Sequence, residues 1–260
     1  MFLFNRSKRK YFAACEYWVY LPGEEMPEQD AIMTRMIAQN PHSRSGHSAI
    51  GAKEGILFSD IRLHLGLVLR SKNTHVFRPD LFQDCIEPSA AVLEGLSKAH
   101  SLLKARYVSE EPLTDDRHLQ FMPHMADAVA ELARGLVVYD VVAERLFTSD
   151  EFMKLLSEDL SVTRFDAHVR TVWQKDVHSG HAETKGLVKK GIPELCTDDA
   201  HLDQQVLVCE VLTEAAKQLW DLPDIPPDLQ ISAFEDHFRL EISPTRTGPF
   251  RVRILRMMQP

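Results

Sequence analysis

Apolar and polar positions along the chain switch repeatedly between a period of two residues and a period near 3.6. Residues 13–20 place apolar side chains on both alternating faces, which predicts a strand that is buried on both sides. A helix is predicted over 27–39. In 61–69 every second residue is apolar, up to Leu69, which predicts a strand with one firmly buried face. The polar, glycine-containing stretch 41–55 is typical of a loop.

The middle of the chain continues this alternation of helices and strands. Pro88 and Ser89 are typical first residues of a helix. In "PHMADAVAELARGLVVYD", Pro123 predicts a helix start, and the apolar run that follows the helix predicts a central strand covered on both faces. Acidic side chains after Ser149 suit the first turn of a short helix. The predicted elements are helices over 88–100 and 123–134, strands over 102–108 and 136–142, and a helix from about 149.

The last third of the chain has a different pattern. Residues 161–173 alternate and predict one long strand, while 176–200 are rich in turn-forming residues and predict loops. The clearest helical period covers 202–220, and the prolines of "DLPDIPPDL" end that helix. Two alternating arms joined by "PTRTG" predict a C-terminal hairpin. Its apolar residues are Phe238, Leu240 and Ile242 in the first arm and Phe250, Val252 and Ile254 in the second.

Together these elements predict an α+β fold, in which helices pack against a mixed β-sheet and the chain ends with a β-hairpin. The length of 260 residues suits a single domain over 1–260. A possible sub-boundary lies near 158–161, where "EDLS" separates the helix–strand units from the C-terminal part.

Composition and charge narrow the classes of function. Apolar residues make up 44% and charged residues 26%, as in ordinary globular proteins. The formal net charge of −8 is opposite to the basic excess of most nucleic-acid-binding proteins, so a nucleic-acid partner is not expected. An alternative to this expectation is nucleic-acid contact through a group of C-terminal arginines. These are Arg246, Arg251, Arg253 and Arg256.

The cysteines and the N-terminus indicate a cytoplasmic protein. Cys15, Cys85, Cys196 and Cys209 form no CxxC pair and are widely spaced, which is typical of buried free thiols and not of a disulfide scaffold. In "MFLFNRSKRK" the basic residues follow the apolar ones, which is the reverse of a signal peptide. No run of about 18 apolar residues predicts a membrane span. The short "MFLF" has too little apolar surface for stable membrane anchoring.

Two pairs of histidines are candidates for a metal site. His118 and His124 lie near aspartates in "TDDRHLQFMPHMAD", and His178 and His181 have HxxH spacing in "DVHSGH". Zinc or another divalent metal held by these residues would support a metal-dependent hydrolase. The alternative is structural, because Pro123 favours a helix start after a polar loop and "SG" favours a turn.

Other catalytic signatures are missing from the sequence. It contains no GxSxG nucleophile elbow, no GxxxxGK[ST] phosphate loop, no GxGxxG dinucleotide motif and no HExxH zinc motif. Its 11 glycines are few for a fold that cradles phosphate. The sequence therefore leans away from an enzyme and predicts no cofactor, with the divalent metal as the alternative.

A polar face on the predicted strand 161–173 is the candidate binding surface. Its core-facing residues would be Phe165, Ala167, Val169, Thr171 and Trp173. The opposite side would carry Arg164, Asp166, His168 and Arg170. The alternative is a solvated face with cross-strand charge pairs. His237, Arg239 and Glu241 alternate in the same way and would widen the polar face if their strand pairs nearby.

The stretch from about 120 to 220 resembles a bacterial family of domains of unknown function. In that family an "ADAVAELA"-type helix and a "VVYD…RLF…EEF" strand and helix precede a TKGLxKxGxPEL-type segment, which here is "TKGLVKKGIPEL", Thr184 to Leu195. Some members resemble immunity or partner proteins near bacterial toxins, which implies a binding role and supplies no catalytic residues. The glycines and proline of the segment suit either a binding loop that includes Thr184 and Lys185 or a connection across the sheet.

The sequence therefore predicts a non-catalytic cytoplasmic protein that binds or regulates another protein, with an immunity-like role as one form of that function. The alternative is a metal-dependent hydrolase that uses the histidines. Stoichiometric metal in the purified protein, lost when His178 or His181 is replaced by alanine, would favour the second reading.

Overall fold

The computed structural model of the protein describes residues 13–39, 63–78, 82, 88–109, 116–158, 164–222, 224–246 and 248–257. Its α-helices are α1 (Gln29–Gln39), α2 (Ala90–Lys98), α3 (Arg117–Leu132), α4 (Ser149–Glu158), α5 (Phe165–His168) and α6 (Gln205–Asp221). Its strands are β1 (Ala13–Leu21), β2 (Leu63–Leu69), β3 (Ser101–Ser109), β4 (Val137–Asp140), β5 (Arg145–Thr148), β6 (Arg170–Lys175), β7 (Ser179–Lys185), β8 (Leu195–Thr197), β9 (Ala200–His201), β10 (Asp228–Ala233), β11 (Asp236–Ser243) and β12 (Phe250–Arg256). Short 3-10 turns cover Thr74–Phe77, Leu187–Lys190 and Leu202–Gln204. None of the helices within these ranges is long and apolar enough to cross a membrane.

The first sheet is antiparallel and has the strand order β2-β3-β1-β4-β5. One of its faces packs against α1, α3 and α4 through a core that includes Tyr17 and Met122. The other face packs against α2 and the Thr74–Phe77 turn around Tyr20. Because helices cover both faces at the centre of the sheet, β4 is buried at every position, which confirms the predicted central strand.

The second sheet has the order β10-β11-β12-β8-β7-β6, with β9 beside β7. β12 runs parallel to β8 and the other pairs are antiparallel, so the sheet is mixed. Helix α6 packs against one face around Leu212 and Leu240. The apolar residues that recur every four positions and predicted this helix form the side of α6 that is buried against the sheet. β11 and β12 form the predicted hairpin, and the α+β class is confirmed.

The helix predicted to begin at Pro123 begins at Arg117, and the proline lies inside it. Leu119 and Met122 are fully buried: Met122 extends the apolar face to which Val129 belongs, and Leu119 packs into the core of the second sheet. Burial of this additional turn outweighs the loss of one backbone hydrogen bond at the proline. The boundary prediction was wrong because tertiary packing, and not the local proline signal, decides where α3 starts.

The single strand predicted over 161–173 is also wrong. Residues 165–168 form the short helix α5, and only 170–175 form a strand. Phe165 contacts the ring of Trp220 edge-to-face and His168 stacks on it, with ring centroids 6.0 and 5.9 Å away. Helical spacing brings these two side chains to the same ring, whereas a strand would place them on opposite faces.

Two further predictions are corrected. β2 has no firmly buried face, since Leu65 and Leu67 are 39% and 37% exposed at the outer edge of the sheet. The stretch predicted as loops over 176–200 contains β7, β8 and β9, which pair across the second sheet. The loop predicted over 41–55, the N-terminal "MFLF" and the boundary region after Glu158 lie outside the described residues.

Candidate functional site

The Thr184–Leu195 segment forms a turn that is closed by its own acidic side chain. The carboxylate of Glu194 accepts hydrogen bonds from the hydroxyl of Thr184 (2.8 Å) and the backbone N–H groups of Gly186 (2.8 Å) and Val188 (3.1 Å). Burial raises the pKa of Glu194, although these hydrogen bonds oppose the rise. A cluster of N–H donors can bind an anion. Here the carboxylate of Glu194 already occupies this cluster of donors, so the donors stabilise the turn.

The same segment joins the two sheets through a buried ion pair. The ammonium of Lys189 is fully buried, donates to the carboxylate of Asp140 at the end of β4, and lies 3.4 Å from the hydroxyl of Tyr17. The carbonyl of Lys189 lies 2.6 Å from Nε2 of His118 on α3. Side chain and backbone of one residue therefore hold the second sheet against the core of the first.

The residues around Lys189 are closed to solvent. Cys15 and Lys189 are 0% exposed and Tyr17 and Asp140 are 1% exposed. Burial raises the pKa of Cys15 to about 12 and, together with the carboxylate of Asp140, also raises the pKa of Tyr17. A thiol with so high a pKa stays protonated and is a poor nucleophile. We interpret the cluster as the structural joint between the sheets.

The structure places the histidines predicted as metal ligands in different environments. His118 is buried in α3 and stacks on Tyr107, with ring centroids 5.0 Å apart, instead of lying in an open loop. His124, on the same helix, is about 240° further round the axis. His178 is exposed before β7, and His181 within β7 lies 3.5 Å from Asp199. Across the described ranges, no three His, Cys, Asp or Glu side chains are grouped to hold a metal ion. The metal site stays a prediction.

The environment of His124 makes it sensitive to acid. Its Nε2 atom is buried and has no hydrogen-bond partner in the described part of the chain. Burial, and to a smaller extent the guanidinium of Arg35, lower the pKa of His124 to about 4. The unfolded chain, in which a histidine has a pKa near 6.5, binds the proton first. This residue therefore destabilises the fold as the pH falls from about 6.5 towards 4.

We expect His124→Gln to reduce the loss of stability in acid. The difference in unfolding free energy between about pH 7 and pH 4.5 should shrink by about 2 kcal/mol relative to the parent chain, as measured by urea denaturation at both pH values. His178→Gln, at an exposed histidine, is the control and should leave the difference unchanged. Equal acid sensitivity in the His124 variant and the parent would contradict this assignment.

The six residues predicted as a binding surface do not form one open face. Arg164 and Asp166 are exposed, but His168, Arg170 and Thr184 are buried. His168 is buried because α5 turns its side chain inward. The hydroxyl of Thr184 donates a hydrogen bond to the carboxylate of Glu194. The six residues therefore do not share one continuous exposed surface, and a binding role for the exposed members remains a prediction.

Lys185, the last of the six, belongs to a small charged group at the end of β7 in the second sheet. Its ammonium lies 3.2 Å from Glu144 and 3.1 Å from Glu183. Burial alone would lower the pKa of Lys185, but the two carboxylates outweigh it and raise the pKa. The guanidinium of Arg170 lies 3.6 Å from the same Glu144. The two carboxylates leave Lys185 little free charge for a partner, whereas the buried guanidinium nitrogens of Arg170 have no hydrogen-bond partner in the described part of the chain.

A broad polar surface lies on the outer side of the C-terminal strands. Positions in β10, β11 and β12 alternate between buried and exposed, because α6 packs against only one side. We call the other side the open face. Its described side chains are Asp228, Gln230, Ser232, His237, Arg239, Glu241, Ser243, Arg251, Arg253 and Leu255. Strand register continues this face through Cys196 to Glu183, so the hairpin does extend the polar side of β7.

Three arginines are the most protruding charges of the open face. The side chains of Arg239, Arg251 and Arg253 are 51%, 70% and 66% exposed. Their nearest carboxylates lie at 3.6–3.9 Å, longer than a hydrogen bond, and belong to Asp228, Asp198 and Glu241. Such exposed pairs are worth little in stability, so their guanidinium groups can exchange partners at low cost.

Comparison with known proteins gives no relative: the chain matches no protein-family model, no curated protein and no solved structure. The resemblance of residues 120–220 to a bacterial family of unknown function therefore stays a prediction.

Proposed function

We propose that the chain is a non-catalytic protein-binding or regulatory protein, and that the open face binds an acidic surface patch on a partner protein. The observation that carries this proposal is the set of three protruding arginines on adjacent strands, Arg239, Arg251 and Arg253. Arginine is enriched in protein interfaces because its planar guanidinium binds carboxylates through two parallel hydrogen bonds. An immunity-like role is one form of this function.

The charge balance favours a protein over a nucleic acid. Each arginine of the open face has a carboxylate within 4 Å, and the whole chain carries a net charge of −8. Binding along a phosphate backbone draws on an excess of basic side chains. A face on which arginines alternate with carboxylates instead selects a partner whose acidic patch places its carboxylates opposite those arginines, which gives specificity and a fixed orientation.

The thiols support a cytoplasmic location as part of the proposal. Cys15, Cys196 and Cys209 are free, and burial raises the pKa of each thiol. Free thiols are maintained in reducing compartments, where glutathione and thioredoxin oppose disulfide formation.

A photo-crosslinking experiment identifies the partner, and a titration then tests the face. p-Benzoylphenylalanine placed at Gln230, an exposed position of the open face, should capture a protein that the same group at Lys98 on α2 does not. That protein is then purified. Arg251→Glu with Arg253→Glu should weaken its binding by about 100-fold, since loss of each interface contact commonly costs a factor near ten. Isothermal titration calorimetry measures the affinity.

Arg106→Glu is the matched control. This arginine is 54% exposed and lies 3.5 Å from Glu16, but it belongs to the first sheet. The control should bind like the parent chain. Unchanged affinity in the double variant, with thermal unfolding also unchanged, would refute the proposal. Binding of a duplex oligonucleotide that weakens steeply with salt and is lost in the double variant would assign the face to nucleic acid instead.

A further inference from the structure

The outer strand of the first sheet, β2, is an apolar edge. It reads "LHLGLVL" and contains no Asp, Glu, Lys or Arg. Within the described ranges it pairs only with β3, and Leu65 and Leu67 are 39% and 37% exposed. Edge strands are usually protected from other chains by charges, prolines or bulges. β2 has a regular register and none of these protections.

The backbone of β2 has hydrogen-bonding positions on its outer side that no described strand occupies. The N–H of Arg70 donates to the carbonyl of His100 across the β2–β3 pair (2.9 Å). In an antiparallel pair, hydrogen-bonded positions alternate, so Val68, Gly66 and His64 also bond inward to β3. The N–H and C=O groups of Leu65 and Leu67 therefore point outward, away from β3.

The side-chain pattern of β2 is symmetric about Gly66. Leucine stands one and three residues before it, and one and three residues after it. When two such strands pair antiparallel with both Gly66 residues on a two-fold axis, Leu65 faces Leu67 of the partner subunit and Leu63 faces Leu69 of the partner subunit. The outward backbone groups of Leu65 then meet those of the partner's Leu67. All of these leucines lie on one face of the joined sheet.

We propose that two copies of the chain associate through β2 in this antiparallel register, which joins the two first sheets into one continuous sheet. The arrangement is isologous, so one self-complementary strand satisfies both subunits and closes the assembly at a dimer. The second copy is favoured over an unrelated strand because the leucine pattern reads the same in both directions. The surface is separate from the open face, so dimer formation and partner binding are independent.

A disulfide across the two-fold axis tests the register. Gly66 pairs with itself at a non-hydrogen-bonded position, where Cα atoms are about 4.5 Å apart, within the range that a disulfide spans. A Cβ atom at Gly66 meets nothing within 4 Å, so the chain accommodates Gly66→Cys. Under mild oxidation this variant should form a covalent dimer, and peptide mapping should place the bond between the two introduced cysteines.

His64→Cys is the matched control for the disulfide. It lies on the same face of the same strand and is also exposed. In the proposed register it faces Val68 of the partner subunit, and the two introduced thiols are separated by roughly 13 Å along the strands. It should give no disulfide between the positions 64. Efficient cross-linking at 64 and none at 66 would overturn the register.

Sedimentation velocity tests the association itself. The parent chain should sediment as a dimer, and Leu65→Lys with Leu67→Lys should shift it to a monomer by raising the dissociation constant at least 100-fold. Val206→Lys, at a 70% exposed position on α6, should remain a dimer. A parent chain that is monomeric up to about 100 μM would overturn the proposal, as would a dimer that survives both lysines or an open-ended polymer. Circular dichroism verifies that each variant is folded.

Discussion

Replacing Lys189 by alanine should lower the free energy of unfolding by about 3–5 kcal/mol, because the carboxylate of Asp140 then stays buried without its cation. Urea denaturation followed by tryptophan fluorescence measures the change. Lys98→Ala is the control, since Lys98 pairs with Glu94 on the surface and is 62% exposed. It should cost less than about 1 kcal/mol. A loss for Lys189→Ala no greater than that of the control would contradict the structural role of the buried pair.

Removing both charges separates the ion pair from the packing around it. Lys189→Met with Asp140→Asn eliminates the buried charges, while the asparagine oxygen can still accept from the N–H of Ala143, now at 3.1 Å from the carboxylate. Replacing a buried pair with neutral groups of similar size is often close to neutral in stability. The double variant should therefore be more stable than Lys189→Ala, although it changes more atoms.

The second large effect is expected at Gly186. Its φ of +114° lies in the region that favours glycine, and a Cβ atom would lie 2.0 Å from the carbonyl oxygen of His168. Gly186→Ala should destabilise the chain by on the order of 3 kcal/mol, because the backbone of α5 or of the turn must move. The turn that carries Lys189 begins at this glycine. Thermal unfolding and urea denaturation both measure this loss of stability.

Gly23→Ala is the control for this prediction. A Cβ atom at Gly23 meets nothing within 4 Å, and its backbone does not have a positive φ. The control should change stability by less than about 1 kcal/mol. Equal effects of the two substitutions would show that the backbone at 186 tolerates a side chain, contrary to the geometry of the turn.

The sequence predicted those elements whose local signal agrees with their tertiary environment. Ser89 accepts a hydrogen bond from the N–H of Val92, so the N-cap residue that predicted α2 performs that role. The apolar run of β4 and the stripe of α6 are buried as their periods indicate. The errors arose where packing overrides the local signal. Pro123 is tolerated within α3. Residues 165–168 are helical because two of their side chains pack against Trp220, which is distant in sequence.

The candidate site was less accessible to sequence reasoning. The histidines were predicted as metal ligands, although the ring of His118 forms a hydrogen bond with the backbone carbonyl of Lys189. The buried pair of Asp140 and Lys189 carried one usable signal, an acid that ends an apolar strand. Its cation lies 49 residues away and could not be identified without the fold. The hairpin, in contrast, was predicted, and its alternation places Arg239 and Glu241 on the open face.

The joint at Lys189 has a consequence for the order of events during synthesis. Asp140 is made 49 residues before the cation that neutralises it. At about 5–20 residues per second, the ribosome needs roughly 2–10 seconds to add that stretch. During this interval the carboxylate of Asp140 has no cation to pair with, so its burial in the core of the first sheet is costly. We therefore expect the first sheet to complete its core around Asp140 only after the turn that carries Lys189 has been synthesised.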